Sequence, residues 1–139
     1  MEKLDLELQN ILKKAGYKTT PARVAVFKFL KKSQKPLSAQ DVQKKFPNID
    51  RVTIYRTLEQ FSSLGIISKL ALGGDRAYFE YAPIHHHHIV CIDCGIIEEL
   101  SECPAPKSIS ISKQTKKFAQ ISHHSLEFFG TCRVCHNKD

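Results

Sequence analysis

Histidine and cysteine are missing from the first 83 residues; all 7 histidines and all 5 cysteines lie in the remainder. Tryptophan is absent and methionine occurs once. Imidazole and thiolate chemistry is therefore confined to the C-terminal part, and whatever the N-terminal part does must use other groups. No apolar run approaches the roughly 18 residues that suggest a membrane span, so no membrane partner is expected. The opening residues Met1-Glu2-Lys3-Leu4-Asp5 lack the apolar stretch of a secretory signal, and the expected location is cytoplasmic. In that compartment an odd number of cysteines argues against a disulfide framework.

What is present is as unevenly spread as what is missing. A chain of 139 residues accommodates one ordinary domain or two small ones, and 42% hydrophobic residues make a packed core feasible. The net charge is +7, and all of it sits in residues 1–83, with 15 Lys and Arg against 8 Asp and Glu. Residues 84–139 hold 6 of each. The two compositions meet at Ala82-Pro83-Ile84, which predicts a domain over residues 1–82 and another over 83–139. A basic domain suits a polyanion, and a neutral one rich in His and Cys suits metal.

The basic half predicts helices followed by a hairpin. Leu4, Leu6, Leu8, Ile11 and Leu12 give a roughly helical apolar pattern ending at Gly16. Thr20-Pro21 offers an N-cap followed by a proline at the first helical position, with Val24, Phe27 and Leu30 at helical spacing behind it. Ser38-Ala39-Gln40-Asp41 resembles a capping box, and Asp50 can cap a helix after the break at Pro47-Asn48. On that last helix Ile54, Leu58 and Phe61 share a face, while Arg56 and Gln60 project opposite, with Thr53 nearby. Strand-like runs from Ile66 to Leu72 and from Ala77 to Tyr81 flank Gly73-Gly74-Asp75-Arg76. Helices followed by such a hairpin are the pattern of a winged helix-turn-helix; an ordinary α+β core with a solvated basic surface is the bland alternative.

The second half is predicted to be rich in strands: Ile89 to Ile92 continuing the histidine run, Ile96 to Leu100 returning after Gly95, and an extended stretch from Phe118 to Phe129. Pro104 and Pro106 break the chain, and 107–117 is open between helix and loop. Cys91/Cys94 and Cys132/Cys135 form two C-x-x-C pairs beside turns. Two such pairs can complete a tetrahedral four-thiolate zinc site with no open position, whose role is structural. Directly before the first pair stands His85-His86-His87-His88. On a strand, side chains alternate, so His85 and His87 face one way and His86 and His88 the other. One tetrad thereby serves two sites. Imidazole with carboxylate suits zinc, iron, nickel or manganese, with Glu80, Glu99 and His124 as candidate partners.

The string His85 to Gly95, together with His124-Ser125-Leu126-Glu127-Phe128-Phe129-Gly130-Thr131-Cys132, resembles the signature of the ferric uptake regulator family. Gly16-Tyr17-Lys18-Thr19-Thr20-Pro21-Ala22-Arg23 is similar to that family's opening segment, and Val52-Thr53-Ile54-Tyr55-Arg56-Thr57-Leu58 to its recognition helix. The resemblance implies an α+β homodimer: N-terminal winged helices on double-stranded operator DNA, and C-terminal α/β domains that dimerise and carry the four-cysteine zinc site. It places Thr53, Tyr55 and Arg56, with Arg51 beside them, at the major groove, Lys18 at the minor groove and Arg23 on phosphate. It implies a regulatory metal at Glu80, His86, His88 and Glu99, and a second site at His85, His87 and His124. The implied function is metal-dependent regulation, usually repression, of metal-homeostasis genes, without enzymatic activity.

Departures from the family pattern bear on which metal is sensed. The histidine that the family often contributes just before the segment matching Leu37-Ser38-Ala39 is Pro36 here. The carboxylate usual in the second site has no counterpart in Lys107-Ser108-Ile109-Ser110, so that site is either incomplete or uses Glu102. Cys103 is either a buried thiol or a soft ligand that favours zinc. Nitrogen and oxygen donors at the regulatory site lean towards Fe(2+) or Mn(2+), and the absence of a cysteine near Glu80 leans away from a zinc sensor. A zinc-uptake regulator and a peroxide sensor on the same scaffold remain alternatives. Among other classes, a zinc hydrolase lacks H-E-x-x-H and leaves the basic domain unexplained. A zinc-ribbon RNA-binding or assembly module leaves the histidine tetrad unexplained.

Overall fold

A computed structural model describes residues 3–103, 111–121 and 124–138. The chain forms two units, Met1–Pro83 and Ile84–Asp139, dividing one residue beyond the boundary expected after residue 82.

In the first unit the helix starts are set by short polar side chains that accept from otherwise unpaired amides. Helix α1 spans Lys3–Lys14. Its chain exits through Gly16, whose φ of 82° is open to glycine at little cost. Helix α2 (Pro21–Lys32) follows Thr20, whose hydroxyl accepts from the Arg23 amide. A two-residue strand β1 (Leu37–Ser38) leads into α3 (Ala39–Lys45). There Ser38 Oγ accepts from the Asp41 amide at 3.2 Å and Asp41 Oδ2 accepts from the Ser38 amide at 2.9 Å, a complete capping box. Helix α4 (Arg51–Ser63) starts at Asp50, which accepts from the Thr53 amide.

Strands β2 (Ser68–Ala71) and β3 (Ala77–Glu80) then pair antiparallel, and β1 joins the far side of β3, giving the order β1-β3-β2. Gly73 and Gly74, with φ of 93° and 69°, make the reversal between them. The apolar faces close on one core: Leu12, Val26, Val42, Ile54, Leu58 and Phe61 are wholly buried. Phe27 packs edge-on against both Phe61 and Tyr81.

The second unit is a small sheet of order β5-β4-β6. Strand β4 (His87–Cys91) is central, β5 (Ile97–Leu100) pairs with it antiparallel and β6 (Glu127–Gly130) parallel. A short helix α5 (Arg133–His136) follows, capped by the Cys132 side chain. Of the extended stretch expected from Phe118 to Phe129, the described residues that pair as a strand are those of β6, which have β4 as a neighbour. Pro104, Pro106 and the Lys107-Ser108-Ile109-Ser110 segment lie outside the described residues. Among the described residues, no helix is long and apolar enough to cross a membrane.

Candidate metal centres and nucleic-acid face

Three clusters of donors are built on or around β4. The first is the four-cysteine cluster. The turn after β4 returns Cys94 towards Cys91, with the Gly95 amide donating to the Cys91 carbonyl at 2.9 Å. The chain leaving β6 supplies Cys132 and Cys135, and the four Sγ atoms lie within 4.8 Å of one another. A zinc–sulfur bond of about 2.3 Å sets tetrahedral sulfurs about 3.8 Å apart; Cys94 and Cys132 Sγ are 3.8 Å apart. The Cys132 amide donates to Cys91 Sγ at 3.3 Å and, with the Cys94 amide, draws that thiol down to about 6. Hydrogen bonding with the Cys132 sulfur, then burial and the crowding of the other sulfurs, pushes Cys135 up to about 12. Such a cluster accepts one negative charge readily and resists more until a divalent cation compensates them. These residues fit zinc.

The second cluster uses the face of the tetrad that carries His86 and His88. Their Nε2 atoms are 3.2 Å apart, close to the roughly 3.3 Å separating two imidazole nitrogens on one tetrahedral zinc. His86 Nδ1 lies 2.9 Å from the Ile84 carbonyl. A carbonyl only accepts, so the proton belongs on Nδ1 and the Nε2 lone pair faces His88, the usual outer-sphere device of metal-binding histidines. His88 is buried and His86 half-buried. Glu80 closes β3 in the first unit and is half-buried. Glu99 departs from expectation: it stands opposite His88 in the β4/β5 register, yet it is exposed and its carboxylate is outside the converging donors. Pro36, buried just ahead of β1, offers no donor atom.

The third cluster lies on the other face and bears on two alternatives that the sequence leaves open. His85, His87, Cys103 and His124 bring four donor atoms within 4.8 Å of one another. Cys103 is exposed, not a buried thiol, and it joins the histidines as in its other reading, a soft ligand, while Glu102 lies outside the converging donors. His87 Nε2 is 3.1 Å from Cys103 Sγ and 3.2 Å from His124 Nε2. Desolvation, followed by repulsion from His87, His124 and His86, holds the His85 imidazole below its ordinary value. What bears on the choice between the two readings of Cys103 is its position right after β5. The returning chain there passes the histidine tetrad, but spacing does not reveal the side it takes.

In the first unit, α4 turns Arg51, Tyr55 and Arg56 outward and lines a shallow hollow with Val52 and Glu59. The Arg51 guanidinium lies 5.5 Å from the Tyr55 ring centroid, which braces both side chains. Thr53 is half-buried, and Lys18 is exposed. Arg23 is more engaged than a free phosphate contact: it donates to the Lys18 carbonyl and, at 2.9 Å, to Gln60 Oε1, and it lies over the Tyr17 ring. Gln60 is accordingly half-buried instead of projecting freely.

A basic helical unit joined to a unit that gathers three donor clusters defines a metal-binding regulator. The chain belongs to the ferric uptake regulator family, whose description matches residues 14–129. It is 31% identical over 142 residues to the peroxide-responsive repressor PerR of Staphylococcus epidermidis, covering 97% of this chain and 94% of that one. The ferric uptake regulator of Helicobacter pylori, whose structure reveals three functional metal binding sites, aligns with a TM-score of 0.73 at 27% identity, over 97% of this chain and 95% of that one. The Francisella tularensis regulator, solved with iron, aligns with a TM-score of 0.65 at 32% identity, over 87% of this chain and 96% of that one. Regulators of this family respond to metal, bind operator DNA and are dimeric. The chain is a metal-responsive regulator of that family.

Proposed function

We propose that this chain is a cytoplasmic, homodimeric repressor of metal-homeostasis genes that binds its operator when a divalent metal occupies the site built on His86 and His88. The observation that carries this reading is the convergence of those two Nε2 atoms, 3.2 Å apart, in a chain whose other half is basic and free of such ligands. Glu80 supplies a carboxylate from the end of β3, a short connection away in sequence, and Glu99 supplies a further one on rotation of its exposed side chain. Nitrogen and oxygen donors of this kind favour Fe(2+) or Mn(2+). Zinc at Cys91, Cys94, Cys132 and Cys135 is structural.

In this reading residues 1–82 form a winged helix. Helix α4 enters the major groove with Arg51, Thr53, Tyr55 and Arg56, Lys18 approaches the minor groove, and β2–β3 form the wing. Arg23 positions Lys18 and α4 through its two hydrogen bonds as well as meeting phosphate. Residues 83–139 dimerise, which the exposed Ile92, Ile96, Phe118 and Phe129 support as apolar surface for a second copy to cover. Metal shifts the population towards the dimer whose two winged helices match the half-site spacing.

The test is operator-type DNA binding by protein holding its structural zinc, titrated with Fe(II), Mn(II), Zn(II) or Ni(II) at fixed salt. Fe(II) or Mn(II) is expected to tighten binding at least about tenfold, roughly 1.4 kcal/mol. The double substitution His86→Ala/His88→Ala is expected to abolish the gain. Equal affinity with and without every metal overturns the reading. The staphylococcal relatives favour a second reading, a peroxide-responsive repressor; permanent loss of DNA binding after hydrogen peroxide meets the Fe(II) form would select it.

A further inference from the structure

The histidine tetrad faces two chemically different surroundings. On the His86 and His88 side the donors available nearby in sequence are carboxylates. On the His85 and His87 side the fourth donor is a sulfur. His87 Nδ1 lies 2.9 Å from the Leu126 carbonyl, so the proton is fixed there and the Nε2 lone pair turns towards Cys103 and His124. His87 is 4% exposed, which holds its ring rigidly within β4. Cys103 Sγ lies 3.3 Å from His124 Nε2, and the His85 ring packs edge-on against His87 and His124 at centroid distances of 4.7 and 4.8 Å. Three imidazoles and one thiol thus converge, and among the described residues no carboxylate belongs to the group.

We infer that His85, His87, Cys103 and His124 form a closed site of three nitrogens and one sulfur that selects zinc over iron and manganese. Thiolate is a soft ligand that zinc accepts readily and that Mn(2+), best suited to oxygen, does not. Four protein donors fill a tetrahedral shell, so the site holds its ion without an open position. Cys103 follows β5 and His124 precedes β6, so an ion held here staples both outer strands to β4 at the end away from the four-cysteine cluster. One strand then sorts two ions by hardness, zinc on the sulfur side and a harder cation on the carboxylate side. This rests on the unit binding metal and is independent of the DNA-binding reading.

The experiment uses the full chain carrying one zinc, verified by elemental analysis, with further metal removed by mild chelation. Cobalt(II) is then added as a spectroscopic stand-in. Wild type is expected to develop the intense visible bands of tetrahedral cobalt and a sulfur-to-cobalt charge-transfer band in the near ultraviolet. Cys103→Ser should lose the charge-transfer increment and bind zinc about tenfold more weakly or worse, the scale on which even outer-sphere partners act. His86→Ala/His88→Ala should keep the charge-transfer band, and unchanged circular dichroism and zinc content would show that both variants fold. A charge-transfer increment undiminished in Cys103→Ser overturns the inference, because the sulfur then comes from elsewhere. Competition in which Mn(II) or Fe(II) displaces zinc at equal concentration overturns the selectivity. No DNA enters the measurement, so failure here leaves the repressor reading standing, and failure of operator binding leaves this site standing.

Discussion

The two units are stable for different reasons. Every member of the hydrophobic core cluster, from Leu8 to Phe79, belongs to the first unit. In the second, the buried apolar residues among those described are Val90 and Cys91, and buried beside them are two imidazoles, His87 and His88. Burying a large apolar side chain stabilises by about 1.5–3 kcal/mol, so the first unit gathers enough of them to fold on its own terms. The second has a three-stranded sheet with almost no interior, and small domains in that position need metal, cross-links or a partner. The contrast teaches a difference in construction: the first unit is organised by a shared apolar core, and the second by a small sheet around which the donor clusters gather.

The largest test of that contrast removes the ion. Stripping zinc with a strong chelator, or substituting Cys91→Ser/Cys94→Ser, is expected to remove on the order of 10 kcal/mol of metal-binding free energy from the second unit. Hydrogen exchange should then show β4–β6 unprotected while α2–α4 stay protected; simultaneous loss in both halves would break the comparison. The reverse experiment is smaller. Phe61→Ala opens a cavity in the first core and should cost about 3–5 kcal/mol, measured by urea unfolding, with zinc content unchanged. A loss of zinc in that variant would show that the units depend on one another. The smallest effect tests local design within the first unit. Burial raises the Asp41 carboxyl, but the Ser38 amide and hydroxyl, with Lys35 and Lys44, outweigh it and leave the carboxyl below its ordinary value. A depressed carboxylate contributes stability above its unfolded value and loses it as pH falls through the folded one, so the capping box should weaken only in strong acid. Asp41→Asn should cost about 1 kcal/mol at neutral pH and flatten that acid dependence, seen by thermal melts across pH; an unchanged melting profile would show that Ser38 caps α3 unaided.

Much of this was legible where the causes are local. Thr20, Ser38 and Asp50 each announce a helix start because the bond they make closes within three residues, and the glycines of the hairpin announce a reversal only they adopt cheaply. The alternation of the tetrad follows from the pleat alone. What escaped depends on side chains meeting across the fold. Arg23 reaches Gln60 through a packing of α2 on α4 that no spacing specifies, and the choice between the two readings of Cys103 depends on the path of the loop that carries it to His87 and His124. Glu99 turns on the same distinction: register places it opposite His88, yet pairing fixes only which residues stand opposite, and its exposed carboxylate lies outside the converging donors.

Four identical residues in a row carry a consequence for how β4 finds its place. Sliding the strand by one position would exchange the two faces, yet each would still present a pair of imidazoles, so the tetrad is blind to its own alignment. Val90 and Cys91 are not. A slip would carry Cys91 away from Cys94, Cys132 and Cys135 and turn Val90 from the interior to water. The four-cysteine cluster therefore acts as the zero mark of a ruler: once it closes, each histidine above it is counted into its own site.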